Sequence, residues 1–565
     1  MNARIGYRQR TLVPLTLLAL AACTNTPPTE LAAQNTRELP VFVLQDSGVG
    51  AEQVQRLLEG VGVTAKISQA DPSAPISYLD KARFMAVPSR TVARGTSKEG
   101  EGPVIRQVLD LEALKRRRPL PAQDALGRAL EALRGAGMLP DTVSKYVRAE
   151  PRAEYSTFEA TDRKGNVLAR VNLDTHVLFD LRLSVADGVR LTGPGAKVKL
   201  VFGPSGRATQ LYYGLYGLEE AGSVAVLGAQ DAQEACAKAL SRGAQVNPER
   251  VTTELLYYVP NAQGKLGSVK VTPSYLCESR VTLGDRTLDS RSVLIDAATG
   301  KPRFNARPAP GRPAPQIAQN TPSQNTLEPQ RLGRVDAGTE YVGVSQGLGG
   351  SQANAGGFTN TMNARGVPVQ FHWGDFSAWE SDFKDPSRGG NDRAYVDDVD
   401  ITFYTGHADG NGFTFPGAND DGFLEYTDAV WGERDLEWLV IAACGPLQET
   451  EGGLSHVQRW GPAFRGLHQM LAYATVSFDN TSEGRILAEN LLGIRILWFD
   501  LGAKMVRQAW VEAATQTQPS SVTWAIMGPF GPGYTHNYND FFWGKGSTSG
   551  DIGSPIGFWR VSGPS

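Results

Sequence analysis

The sequence predicts an α/β protein preceded by an α+β region, and three observations carry that prediction. Short apolar runs recur after residue 334 with helix-like stretches between them, the pattern of a mainly parallel sheet flanked by helices. Composition also changes along the chain. Residues 331–565 hold 15 Lys and Arg against 27 Asp and Glu, residues 1–330 hold 41 against 32, and all ten Trp lie after residue 330. Between the two regions, residues 303–333 carry Pro308, Pro310, Pro313, Pro315, Pro322 and Pro329 among Ala, Gln, Asn and Arg, a linker composition. Halves so different read as two units joined.

The total bounds the function. A net charge of −3 over 565 residues excludes a polyelectrolyte that coats nucleic acid, and 41% hydrophobic residues exclude a mostly disordered chain. At the start, Arg4, Arg8 and Arg10 precede the apolar run Thr11 to Ala22. That is a secretory signal, too short for a permanent membrane helix. The segment Leu20-Ala21-Ala22-Cys23 resembles the bacterial lipobox, which implies cleavage after residue 22, lipidation of Cys23 and a membrane-anchored lipoprotein of the cell envelope. Residues 23–36 then read as a tether. Export makes a disulfide between Cys236 and Cys277 an option, because both lie in one region, and leaves Cys444 as the odd thiol.

Within residues 37–302 the pattern predicts a strand at Val41–Leu44 and a helix with a Val54, Leu57, Leu58 stripe. A second helix is predicted with Asp124 as cap, Leu126, Leu130 and Leu133 inward, and Gly135 and Gly137 closing it. Strands follow at Val167–Leu173, Val177–Val185, Ala196–Phe202 and Gln210–Tyr213, then a helix at Ala229–Leu240, then strands near Leu255–Val259, Ser274–Cys277 and Ser292–Ile295. The phrase Val293-Leu294-Ile295-Asp296-Ala297-Ala298-Thr299-Gly300-Lys301 closes this stretch. With the Ala-rich helix it resembles FTP/PepSY-type propeptide modules from about residue 165, and the phrase is also a good hairpin turn.

Residues 334–565 form the second unit. Strands are predicted at Tyr341–Val344, Val367–Phe371, Val399–Tyr404 and Leu439–Ala443, with helices near Ala353–Ala364, Ile486–Leu492 and Ala503–Ala514. In such sheets ligands sit beyond the carboxyl ends of the strands. Two strand ends carry chemistry there. One apolar strand delivers His407 into a Gly-rich turn, and another delivers Cys444 into Gly445-Pro446. If the strands are neighbours, the imidazole can take the thiol proton, the thiolate can attack an acyl carbon, and backbone N–H groups in the turns suit the developing oxyanion.

This pair resembles the clan CD cysteine peptidases, the group of caspases, legumains, gingipains and clostripain, whose apolar strands end in His-Gly and Ala-Cys. The phrases Phe403–His407, Ile441–Cys444 and Phe464–His468 are closest to an uncharacterised bacterial gingipain-like family. The resemblance implies a caspase-like domain over about residues 338–530, His407 as base, Cys444 as nucleophile, and an oxyanion hole from the N–H groups of Ala408 and Cys444. One departure stands out: Ala408 occupies the family's glycine position. The implied partner is a peptide or protein substrate, with the N-terminal region as prodomain or chaperone.

The remaining candidates are weaker. His468 and His536 are reserve bases. No HExxH and no paired Cys-x-x-Cys occurs, so no metal is expected. Calcium stays open through the acidic segment between base and nucleophile, although Asp409-Gly410-Asn411-Gly412-Phe413 fails EF-hand spacing at its third ligand, and a solvated loop is the plainer reading. The alternative to an enzyme is a surface protein that binds a glycan or basic peptide on a decayed peptidase-like fold, with Trp373 and Trp379 lining a groove.

Overall fold

The computed structural model describes residues 37–64, 74–97, 102–262, 264–283, 286–304, 335–417, 420–496 and 499–565. The signal at 1–22, Cys23, the tether at 23–36 and all but the first two residues of the Pro-rich stretch lie outside them.

The central strands of the C-terminal sheet, Ile401–Thr405, Trp438–Ala442 and Gln469–Tyr473, are buried on both faces, as central parallel strands must be. Ala337–Tyr341 pairs in parallel with Val369–Gly374 on one side and with Ile401–Thr405 on the other. Ile401–Thr405 pairs in parallel with Trp438–Ala442, and that strand with Gln469–Tyr473. Thr523–Gly531 joins antiparallel, and Gly557–Pro564 pairs antiparallel with it. Strand alternation sends Ile401, Phe403, Trp438, Val440, Leu471 and Tyr473 to one face, where they pack with residues of helices Ser351–Ala364, Glu483–Leu492 and Val506–Thr517. Tyr404, Leu439, Ile441, Met470 and Ala472 go to the other face.

That second face departs from the expected helical cover. Between Asp375 and Asp398 the chain makes five short 3-10 turns, and the later helix His456–Trp460 is one turn long. The acidic residues explain how such irregular backbone survives inside. Asp375 accepts from Gly343 N at 2.9 Å and Ser345 N at 3.0 Å, and Glu380 accepts from Gly422 N at 2.9 Å. Lys384 bridges Glu380, Asp420 and Asp428. These caps lie before His407; of the acidic residues between His407 and Cys444, Asp409 and Glu437 are buried while Asp420, Asp421 and Glu433 are exposed.

The two regions share a sheet. Gly557–Pro564 pairs antiparallel with Val147–Asp162, from Gly557 opposite Asp162 to Ser562 opposite Thr157. The sheet continues through Val167–Leu183, Ala196–Phe202 and Ala208–Leu215. One hydrophobic cluster holds Phe158, Leu173 and Val201 together with Trp524, Tyr538 and Trp559. The two regions therefore share an edge and a core, and the N-terminal half cannot leave without exposing both.

Several elements also differ from expectation. Val167–Leu173 and Val177–Val185 are one strand, Val167–Leu183. Helix Ala122–Ala136 starts after Pro121, three residues before Asp124, and ends at left-handed Gly137, φ 67°. Its buried face is Ala125, Ala129, Ala132, Leu133 and Ala136, because helix Ala51–Gly60 packs so closely that a Cβ on Gly60 would lie 3.1 Å from that of Ala132. Helix Ala229–Leu240 lies where the pattern put it. It packs against a hairpin of Pro273–Leu283 and Arg286–Asp296, which ends in the Asp296–Gly300 turn, where Asp296 accepts from Ala298 N and Thr299 N.

Candidate active site

The histidine and cysteine strands are neighbours, and their register decides the rest. Ile401 lies opposite Trp438 and Thr405 opposite Ala442. His407 and Cys444 each follow two residues beyond that last pair, at the carboxyl edge. Both line one cavity, with Thr405, Ala442, Ser477 and Asp479. Two glycines make the turns. A Cβ on Gly406 would lie 2.2 Å from the Tyr404 hydroxyl oxygen, and Gly445 has φ 76°, so neither position accepts an ordinary side chain without strain.

Each reactive side chain has partners. The Cys444 Sγ accepts a hydrogen bond from Ser477 N at 3.3 Å and lies 3.7 Å from Ser477 Oγ. Burial pushes the thiol above its usual value. The His407 Nε2 accepts from Arg291 Nε at 2.7 Å. Because a guanidinium only donates and has no lone pair to accept with, that nitrogen is the acceptor and the ring is neutral with its proton on Nδ1. The 3.1 Å approach of Nε2 to the Gln346 carbonyl is then a contact without a shared proton. Burial first, and the Arg291 charge second, push His407 well below the usual histidine range.

Arg291 is the residue that sequence reasoning missed. It comes from the N-terminal region, is 0% exposed, and donates to His407, to Leu240 O at 2.9 Å and to Gln346 O. An imidazole and two carbonyls are no counter-charge, and burial lowers its pKa to about 9. A buried cation held this way is unfavourable by several kcal/mol against an ion-paired one. Next to it, Ser292 donates to Ser477 O at 3.2 Å and also lines the cavity. No motif marks either residue: Arg291 is one of many arginines in a polar strand. The cavity measures about 20 Å³, room for one water and nothing the size of a peptide.

The expected oxyanion donors are partly described by the same geometry. Ala408 is buried in a two-residue strand paired with Gly412–Thr414. That is ordinary β backbone, so alanine fits where the family pattern has glycine.

Residues 336–563 match a family model described as Domain of unknown function (DUF6345). The match therefore spans the C-terminal sheet and both reactive residues. Among solved structures, an uncharacterized protein from Eubacterium rectale aligns at 9% identity over 47% of this chain and 86% of that one, with a TM-score of 0.24. No curated protein matches.

The reserve candidates lie elsewhere. His468 precedes Gln469, the first residue of its parallel strand, so it stands at the amino edge, opposite the dyad. It is 0% exposed, with Nδ1 2.7 Å from Asp540 and Nε2 3.2 Å from Asp551. His536 pairs with Phe530 at that same edge, and its Nε2 lies 2.9 Å from Ser89 Oγ. Neither reaches Cys444, because strand direction sends them the other way. There His536 lines a cavity of about 310 Å³ with Arg94, Arg106 and Asp551. The Asp409 loop is a hairpin in which Asp409 accepts from Asn411 N at 2.8 Å, whereas the carboxylates that converge within 4.8 Å are those of Asp336, Asp400 and Asp435. Every described tryptophan except half-buried Trp373 is buried, Trp379 included at 6% exposure, which corrects the expected aromatic groove. Cys236 and Cys277 are joined by a disulfide, with Cα atoms 5.3 Å apart, and Cys444 is free.

Proposed function

We propose that the chain is an exported cysteine peptidase of the clan CD kind, acting through His407 and Cys444. One observation carries the reading: two adjacent parallel strands, in register, deliver an imidazole and a thiol into one cavity at the carboxyl edge of the sheet. The chemistry is acyl transfer. His407 takes the Sγ proton, and the thiolate forms a bond to the scissile carbonyl carbon. The oxyanion faces N–H groups of Cys444 and Ala408, and the imidazolium returns its proton to the leaving amine. Water, deprotonated by the same imidazole, then releases the acyl group and restores the thiol. Lipid anchorage at Cys23 belongs to the same proposal, and the Cys236–Cys277 disulfide supports an oxidising compartment. The protein binds no nucleic acid in this reading.

The closed cavity and the unfavourable proton transfer favour a second reading, a decayed site on a binding protein. Of the two tryptophans that reading invoked, Trp379 is buried and Trp373 is half-buried. A peptide library at neutral pH, read by mass spectrometry, separates the two. Cleavage that is slow in the full wild-type chain, faster in Arg291→Met and absent in Cys444→Ala is expected. Cleavage that survives Cys444→Ala sinks the peptidase reading, and so does silence from the wild type and from Arg291→Met alike.

A further inference from the structure

The dyad is described in a state that cannot react, and what disables it belongs to one hairpin. In an active thiol–imidazole pair the thiol is acidified and the imidazole ready to hold a proton. Here both are displaced the other way, the imidazole by burial and a neighbouring cation, the thiol by burial. The cation is Arg291, on strand Arg286–Asp296, and the adjoining Ser292 holds Ser477, the residue that in turn holds Cys444.

That hairpin is fastened from behind. Cys277 lies on its other strand, opposite Val293, while Arg291 lies opposite Ser279, so the disulfide is level with the plug residues. The bond runs to Cys236 on helix Ala229–Leu240, and the carbonyl of Leu240, the last residue of that helix, accepts from Arg291. The strand pairings that attach the N-terminal half to the rest run through other strands, Val147–Asp162 and Pro103–Leu109. The hairpin can therefore move without the halves separating.

We propose that the hairpin Pro273–Leu283/Arg286–Asp296 is a built-in plug whose Arg291 and Ser292 hold the dyad off, and that the Cys236–Cys277 disulfide fastens it in place. This rests on the dyad reading above, and it makes the N-terminal half an integral brake in place of a detachable propeptide. A peptide substrate enters only when the hairpin withdraws, because the cavity holds a single water while it is seated.

The test is the rate at which iodoacetamide alkylates Cys444 in the full chain at pH 7 without reductant, followed by mass spectrometry. It compares wild type, Arg291→Met and the pair Cys236→Ser with Cys277→Ser, each with and without His407→Gln. A fall of one unit in the thiol pKa raises the thiolate fraction about tenfold. Gains of about tenfold in both variants, abolished by His407→Gln, are expected. Where Arg291→Met fails to fold, Arg291→Lys keeps the charge but cannot make three divergent hydrogen bonds, and the disulfide variant gives the second arm. Unchanged rates overturn the plug, and so does a gain that persists in His407→Gln, which would report loosening alone. A thiol that wakes while no peptide is cut upholds the plug and rejects the peptidase. Peptide cleavage by wild type that neither variant accelerates upholds the peptidase and rejects the plug.

Discussion

The two edges of the C-terminal sheet each bury a histidine, and the two histidines titrate in opposite directions. His407, at the carboxyl edge, meets a guanidinium and carbonyls and is pushed well below the ordinary range. His468, at the amino edge, is equally buried, and burial opposes its charge, but the hydrogen bonds it donates to Asp540 and Asp551 outweigh that and raise it to about 9. Burial is common to both, so the neighbour sets the sign. At the amino edge the charge is matched and the arrangement serves structure. At the carboxyl edge a cation is buried against a neutral base, which gives up stability for something other than structure.

The largest expected effect breaks that contrast from the matched side. Asp540→Asn removes the closer partner of His468 and disturbs the 2.8 Å hydrogen bond that Asp540 Oδ1 accepts from Ser549 N. Breaking a buried pair by one partner destabilises by about 3 kcal/mol. Urea unfolding should show a loss of that size, whereas Arg291→Met should be neutral or stabilising, since it removes a buried cation without a carboxylate partner. Equal losses in the two variants would mean that the two edges are held in the same way.

The next effect is in pH. A histidine raised from 6.5 to about 9 gives stability that is full below pH 6.5 and is lost as pH rises through about 9. The difference in unfolding free energy between wild type and His468→Gln should follow that window, by roughly 2 kcal/mol, discounted because Asp551 is largely exposed. His536 has the opposite sign: burial lowers it to about 3, so its contribution is present above pH 6.5 and is lost as pH falls through about 3. His407 shares that sign. Arg291→Met should therefore soften the acid side of the stability profile.

This contrast also shows what the chain of residues discloses and what it hides. The strands ending near His407 and Cys444 were legible because strands buried on both faces read as uninterrupted apolar runs. Their register followed from one spacing, Thr405 opposite Ala442. Val147–Asp162 was not legible, since its first half is exposed and charged and is held as a strand by Val167–Leu183, while its second half also pairs with residues about 400 positions away. Arg291 meets His407 across 116 residues, and no periodicity encodes a single long-range contact. Ahead of His407, Glu380 and Asp397 cap backbone N–H groups, a role that composition cannot distinguish from solvation.

The smallest effect concerns Ala408, where the proposed peptidase reading expects glycine. If glycine were needed there for backbone freedom, Ala408 would signal a decayed site. Ala408 instead lies in paired, extended backbone opposite Phe413, buried, and outside the positive-φ region. An alanine N–H points where a glycine N–H would. Ala408→Gly should therefore give up about 0.5–1 kcal/mol of stability through added freedom of the unfolded chain. It should not accelerate peptide cleavage or Cys444 alkylation in the Arg291→Met background. A marked acceleration would show that the Ala408 methyl, and not Arg291 alone, holds the carboxyl edge closed, and would move the brake from the hairpin into the dyad's own turn.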